Sequence, residues 1–245
     1  MQTKQTLITA VVAAIIGASS AHFLPQQTAG NSDESIKAYL LANPNVIMES
    51  VQKWQEDQRK QKTSGASEAL KNPEIQKALY ENPNSPFIGP KDAKIVIVEF
   101  FDYNCPACKA AFKALDALAK KDKDMKIIFK EFPIFGPVSD TNSKIGLAIH
   151  ALAPEKYFEF HTKMMRVEGR ADEAMALKFA GEIGLKEADV KAEIAKPEYQ
   201  DKIDTVRQLG TIIGVQGTPS LVIGNEFVPH ALDFEGLEAR IAPLR

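Results

Sequence analysis

Cys105 and Cys108 are the only cysteines in this chain of 245 residues, and they stand as Cys-Pro-Ala-Cys. Two thiols cannot build a disulfide framework or a four-cysteine zinc site. A two-residue gap does let the sulfurs close a local disulfide, and such a pair exchanges with other thiols through a mixed disulfide. The same pair offers two soft thiolates to Cu(I). An inert structural disulfide is the plainest alternative, but so small a loop stabilises little. The four histidines, His22, His150, His161 and His230, all lie far from the pair in sequence, which argues against a mononuclear zinc site.

The elements around the pair decide between these uses. Residues 95–101, Ile-Val-Ile-Val-Glu-Phe-Phe, read as a strand of buried type. Asp102-Tyr103-Asn104 follows as a turn, and Pro106 suits the first position of a helix. Cys105 then sits at that helix's N-terminus, where free N–H groups and the macrodipole favour a thiolate. Cys108 falls one turn inward on the face shared with Phe112, Leu115 and Ala119. Cys105 is therefore the expected attacking sulfur and Cys108 the resolving one. Tyr103 and Phe135 either flank the cysteines as an apolar patch for unfolded chains or pack in the core, and the sequence favours neither. Downstream, residues 126–132 read as a second strand, and helices are predicted over 139–152, 154–167, 171–183 and 186–213, the last broken by Pro197. Gly217-Thr218-Pro219 leads into a hairpin, residues 220–223 and 226–229 around Gly224-Asn225, and a helix over 234–244 closes the chain. His150 and His161 fall on predicted helices, where a core or surface position is the simple reading.

Composition and the first third of the chain bear on setting. With 44% apolar residues the chain can bury a sizeable core. Its 30 basic and 32 acidic residues give no basic excess, so nucleic acid is not an expected partner. Residues 1–21 have the form of a signal peptide: Lys4, an apolar run too short for an ordinary span, then Ala18-Ser19-Ser20-Ala21. An uncleaved anchor is the alternative, and either form places the remainder in the periplasm or cell envelope, where disulfides persist. Residues 22–32 read as a tether. Residues 33–68 read as helices interrupted by Pro44 and capped by Ser32 or Asp33, with Ile47, Val51, Trp54 and Gln58 along one face. So narrow an apolar stripe needs another surface. A second copy of the chain is the favoured one, making this segment an oligomerisation stalk; its own catalytic domain is the other. Residues 69–90 read as a short helix and linker, and residues 91–245 as the catalytic domain with a helical insertion over about 137–213.

Residues 98–108, Val-Glu-Phe-Phe-Asp-Tyr-Asn-Cys-Pro-Ala-Cys, resemble the active-site segment of the DsbA family of oxidoreductases, and Thr218-Pro219 resembles its cis-proline loop. Residues 130–136, Lys-Glu-Phe-Pro-Ile-Phe-Gly, and 39–44, Tyr-Leu-Leu-Ala-Asn-Pro, are similar to the branch holding the Com-type antigens and the ScsC proteins. The resemblance implies an α/β thioredoxin fold with an inserted helical domain and an N-terminal helical extension. It implies a thiol:disulfide oxidoreductase that needs no cofactor and no resident metal. Cys105, Cys108 and Glu99 would be catalytic, with Thr218, Pro219, Pro106 and Ala107 binding substrate. Glu99 lies mid-strand among apolar residues; a buried carboxyl has a raised pKa and can pass a proton to Cys108, whereas a lysine ion pair would make it structural. Proline at 219 offers no N–H to the sulfurs and leaves a loop edge for an extended peptide. The implied partners are cysteine-containing unfolded or misfolded proteins, a membrane reductase or oxidase, and further copies of the chain through residues 33–68. Family oxidants often carry His where this chain has Ala107, and Thr218 resembles the isomerases, so the sequence favours isomerase or reductase activity with a milder potential. A dithiol oxidase and a Cu(I)-binding protein are the alternatives.

Overall fold

The computed structural model describes residues 29–245; the expected leader, residues 1–21, and most of the expected tether lie outside the described residues. The chain divides into two compact units, parting between Lys53 and Trp54. In the first, helix α1 (Ala29–Ala42) ends before Pro44, which opens helix α2 (Pro44–Ala69) at the position where a missing N–H costs nothing. Ser32 and Asp33 lie inside α1 rather than capping it, because the helix already runs from Ala29. Both helices carry exposed apolar side chains: Ile36, Tyr39 and Leu41 on α1, and Ile47, Met48 and Val51 on α2.

The second unit is built on a five-stranded sheet. Its strands are β1 (Phe87–Ile88), β2 (Ile95–Phe101), β3 (Met125–Glu131), β4 (Ser220–Ile223) and β5 (Glu226–Val228), in the order β1-β3-β2-β4-β5. Strands β2 and β3 run parallel, with Ile95 opposite Met125 and Phe101 opposite Glu131; every other pairing is antiparallel. Helix α4 (Pro106–Lys121) makes the crossover from β2 to β3. The central strand is apolar without alternation because both its faces are covered. Ile97 and Phe101 join a core with Cys108, Phe112 and Leu115, whereas Val98 and Phe100 join a second core with Leu79, Leu209 and Phe227. Successive side chains of a strand point to opposite faces, so Glu99 shares the face of Ile97 and Phe101, toward α4.

Between β3 and β4 stand α5 (Pro137–Leu152), a 3-10 turn leading into α6 (Tyr157–Met165), α7 (Glu173–Glu182), α8 (Glu187–Ile194) and α9 (Glu198–Ile213). The expected helical insertion is present, and the segment 186–213 is broken at Pro197 into two helices, with Pro197 at the N-cap of α9. Proline cannot supply the N–H of a helix interior and so separates them. Strand β1 falls where a linker was expected. It is only two residues long and flanked by Pro86 and Pro90, so its pattern was too short to read. Helix α3 (Pro73–Tyr80) precedes it, capped by the Asn72 side chain. Leu79 of α3, together with Ala66 and Leu70, is buried in the second core, so the segment after Trp54 contributes to the catalytic body before the sheet begins. The chain ends in α10 (Phe234–Ile241), whose buried Leu237 and Ile241 pack into the core shared with α4.

Candidate active site

Cys105 is the N-cap residue of α4, in extended backbone conformation, and the chain turns helical at Pro106. The turn before it is fixed by Asp102. One oxygen of this buried carboxyl accepts from the Asn104 amide (2.7 Å) and the Ser139 hydroxyl (2.8 Å). The other accepts from the amides of Ile134 (2.7 Å) and Phe135 (3.1 Å) after β3. The Cys105 amide in turn donates to the Asp102 carbonyl at 3.0 Å. Asn104 extends the frame, receiving the Ala171 amide at 2.8 Å and donating to Ser139. Sequence reading placed these residues in a turn without seeing that one carboxyl ties three segments together. The available signal was an Asx turn, Asp two residues before an amide it can accept.

The two thiols are free and differ in environment. Cys108 is fully buried, whereas Pro106 and Ala107 beside Cys105 are exposed. The Cys105 thiol donates to the Thr218 carbonyl at 3.1 Å. Its pKa is brought down to about 6, chiefly by the hydrogen bond the Cys108 thiol donates to its thiolate, against a desolvation cost. The Thr218 side chain and the amides of Cys108 and Ala107 add to the lowering. The Thr218 hydroxyl is buried and, among the described residues, makes no hydrogen bond. Cys108 is pushed well above the ordinary thiol range, first by burial, then because its proton is held by Cys105, and further by the Glu99 charge.

Glu99 lies under this pair. It is fully buried, and among the described residues neither carboxyl oxygen has a hydrogen-bond partner and no lysine pairs with it. Burial, reinforced by the Cys105 charge, raises its pKa to about 8. The Thr218–Pro219 peptide bond is cis, the Thr218 carbonyl lies against the Cys105 sulfur, and Pro219 is buried. The structure thus brings Cys105, Cys108, Glu99 and Thr218-Pro219 to one place, with Pro106 and Ala107 at its surface.

Tyr103 takes the core alternative. It is not part of an exposed patch but fully buried, because its ring packs edge-on against Phe101 and its hydroxyl reaches inward. Tyr103 and Tyr157 each donate to Glu131 at 3.2 Å, and His161 stands 3.4 Å from the Tyr103 hydroxyl. Burial raises Glu131 well above the carboxylate range and lowers His161 to about 3, so His161 is neutral at pH 7. Gly146 permits this packing: a Cβ there would meet Glu131 Oε1 at 2.7 Å and the Tyr103 hydroxyl at 2.9 Å. His161 is a core residue caged by aromatic rings, as its helix position suggested, and His150 is half-buried. Phe135 remains exposed.

A family model described as thioredoxin matches residues 81–242. The chain belongs to the thioredoxin family. A second model, described as the copper resistance protein ScsC N-terminal domain, matches residues 33–61 of this thioredoxin-family chain. Among solved structures, a thioredoxin-like oxidoreductase from Silicibacter pomeroyi is 31% identical, with a TM-score of 0.64 over 68% of this chain and 95% of that one. The catalytic domain of Proteus mirabilis ScsC is 29% identical, with a TM-score of 0.66 over 73% and 97%. Among curated relatives, disulfide bond formation protein D of Bacillus subtilis is 22% identical over 64% of this chain and 75% of its own. Within the family the chain is a thiol:disulfide oxidoreductase of the DsbA and ScsC type.

Proposed function

We propose that the chain works in the periplasm or cell envelope as a disulfide isomerase or reductase of misfolded, cysteine-containing proteins, and that residues 33–68 join several copies. The observation that carries the catalytic part is the inequality of two neighbouring thiols above one unpartnered carboxyl. The Cys105 thiolate attacks one sulfur of a substrate disulfide. That S–S bond breaks, and the other substrate sulfur leaves as a thiolate with the bonding pair. For isomerisation, a different substrate thiolate attacks the mixed disulfide and releases Cys105, with no net change in electrons. For reduction, the ionised fraction of Glu99, about a tenth at pH 7 for a pKa of about 8, takes the Cys108 proton, and the Cys108 thiolate attacks the Cys105 sulfur and displaces the substrate sulfur as a thiolate. The substrate then gains two electrons and two protons, and the Cys105–Cys108 disulfide forms.

The direction is supported by the thiol chemistry and the N-terminal helices. A Cys105 pKa of about 6 lies closer to that of thioredoxin, about 7, than to that of DsbA, about 3.5, so the disulfide is a milder oxidant. Thr218 and Pro219 offer a loop edge beside the sulfur, to which an extended peptide can add as a strand. The exposed apolar side chains of α1 and α2 form the face that a second copy would cover. A membrane redox partner would restore the dithiol. The test is deletion of residues 33–60, which spares Ala66 and Leu70 in the core. The deleted protein is expected to sediment as a monomer, to retain reduction of insulin, and to lose reactivation of scrambled ribonuclease. Unchanged mass and unchanged isomerisation would refute the reading of these helices.

A further inference from the structure

Next to Cys105 lies a groove of about 370 Å3, lined by Asn104, Pro106, Lys109, Phe135, Gly169 and Arg170. Its apolar part is Pro106 and the exposed ring of Phe135. Its opposite wall is the loop between α6 and α7, which is held in place from several directions. Lys109 Nζ donates to the carbonyls of Val167 (3.0 Å) and Gly169 (2.5 Å), Arg170 Nη2 donates to the Phe135 carbonyl (2.8 Å), and the Ala171 amide is held by Asn104. The groove is therefore formed in advance rather than by a substrate.

Its charge is one-sided. Lys109 and Arg170 are bound to neutral carbonyls, and among the described residues neither forms an ion pair, whereas Arg166 in the same loop is paired with Asp116. The carboxyl groups around the groove are otherwise placed, Asp172 accepting the Met175 amide as the cap of α7. Asp102 acts on Lys109 at a distance, but it is buried and engaged by four donors. Glu168 is exposed and lines the neighbouring hollow that Lys109 also borders, not this groove. Two cations thus flank an apolar floor beside the reactive sulfur, without a counter-charge of their own.

We propose that this groove is a substrate subsite that seats an apolar side chain beside the substrate cysteine and a carboxylate next to it, so that cysteines flanked by Asp or Glu are handled preferentially. The inference rests on the exchange reading of Cys105 and adds a substrate preference to it. The rim cations would attract the acidic segment and hold it in register while the thiolate attacks.

The test uses three peptides, each closed by one disulfide, with Leu beside the attacked cysteine and Glu, Gln or Lys as the next residue. Each is reacted with the reduced full chain, and its rate is divided by its rate with dithiothreitol, which has no groove and so corrects for intrinsic reactivity. At low salt the Glu peptide should react about tenfold faster than the Lys peptide, and the ratio should fall to about twofold in 0.5 M KCl. Arg170→Glu should abolish or invert the ratio. Its guanidinium holds only the Phe135 carbonyl, so it is a cleaner variant than Lys109→Gln, which also frees two loop carbonyls. Equal corrected rates for all three peptides would overturn the proposal, as would a preference that survives both salt and Arg170→Glu. Failure to react with any of the peptides would instead overturn the exchange reading on which it rests.

Discussion

Replacing Glu99 by Gln should stabilise the protein and slow its chemistry, with both effects set by the same buried carboxyl. The folded-state pKa is about 8, against 4.5 for the ordinary group, and the cause is burial without a hydrogen-bond partner. A carboxyl raised in the folded state costs nothing below the unfolded pKa. The cost grows as pH rises from 4.5 toward 8, because the unfolded chain ionises there and the folded one does not. At pH 7 the cost is about 3 kcal/mol. Gln cannot ionise and fills nearly the same volume, so Glu99→Gln should show no gain near pH 4.5 and a gain approaching about 3 kcal/mol at pH 7. Urea unfolding of the reduced protein at a series of pH values reads this directly. The same variant removes the carboxyl whose ionised fraction, about a tenth at pH 7, takes the Cys108 proton. Resolution of the mixed disulfide with a peptide should therefore slow by about a hundredfold, the lower end of general-base effects. A stability difference that does not change with pH would refute the buried, unpaired carboxyl. An unchanged resolution rate would refute its role in proton transfer.

Ala107→His places a cation beside the Cys105 thiolate. It should lower the Cys105 pKa by about one unit and make the disulfide more oxidising by about 30 mV, measured by equilibration with glutathione. Asp102→Ala strands the amides of Asn104, Ile134 and Phe135 and the Ser139 hydroxyl. It should cost about 3 kcal/mol in chemical unfolding and broaden the NMR signals of residues 102–105 and 134–135.

The catalytic body was legible wherever a local pattern carried the signal. The apolar run of β2, Pro106 at the start of α4 and Gly224-Asn225 between β4 and β5 each mark an element on their own, and the structure has those elements where the sequence predicts them. Cys105 at an N-cap and Cys108 one turn inward follow from the same local reading. What could not be read depends on contacts distant in sequence. Asp102 looks like a turn residue until the amides after β3 arrive at its second oxygen. Tyr103 reads equally as surface patch or core until Glu131 and Tyr157 meet its hydroxyl inside the core. Strand β1 exists only because β3 offers it an edge. The groove beside Cys105 draws its wall from a loop about sixty residues further along, so its lining is invisible to any window of sequence.

The central claim is that Cys105 and Cys108 are unequal thiols, one an attacking thiolate at neutral pH and the other a protonated reserve. Alkylation of the reduced protein across a pH series, with the site of label assigned by mass mapping, tests it most directly. The account predicts that Cys105 is labelled with a midpoint near pH 6 while Cys108 stays unlabelled in the folded protein. Labelling of both cysteines at similar rates, or a Cys105 midpoint near the ordinary 9, would contradict it.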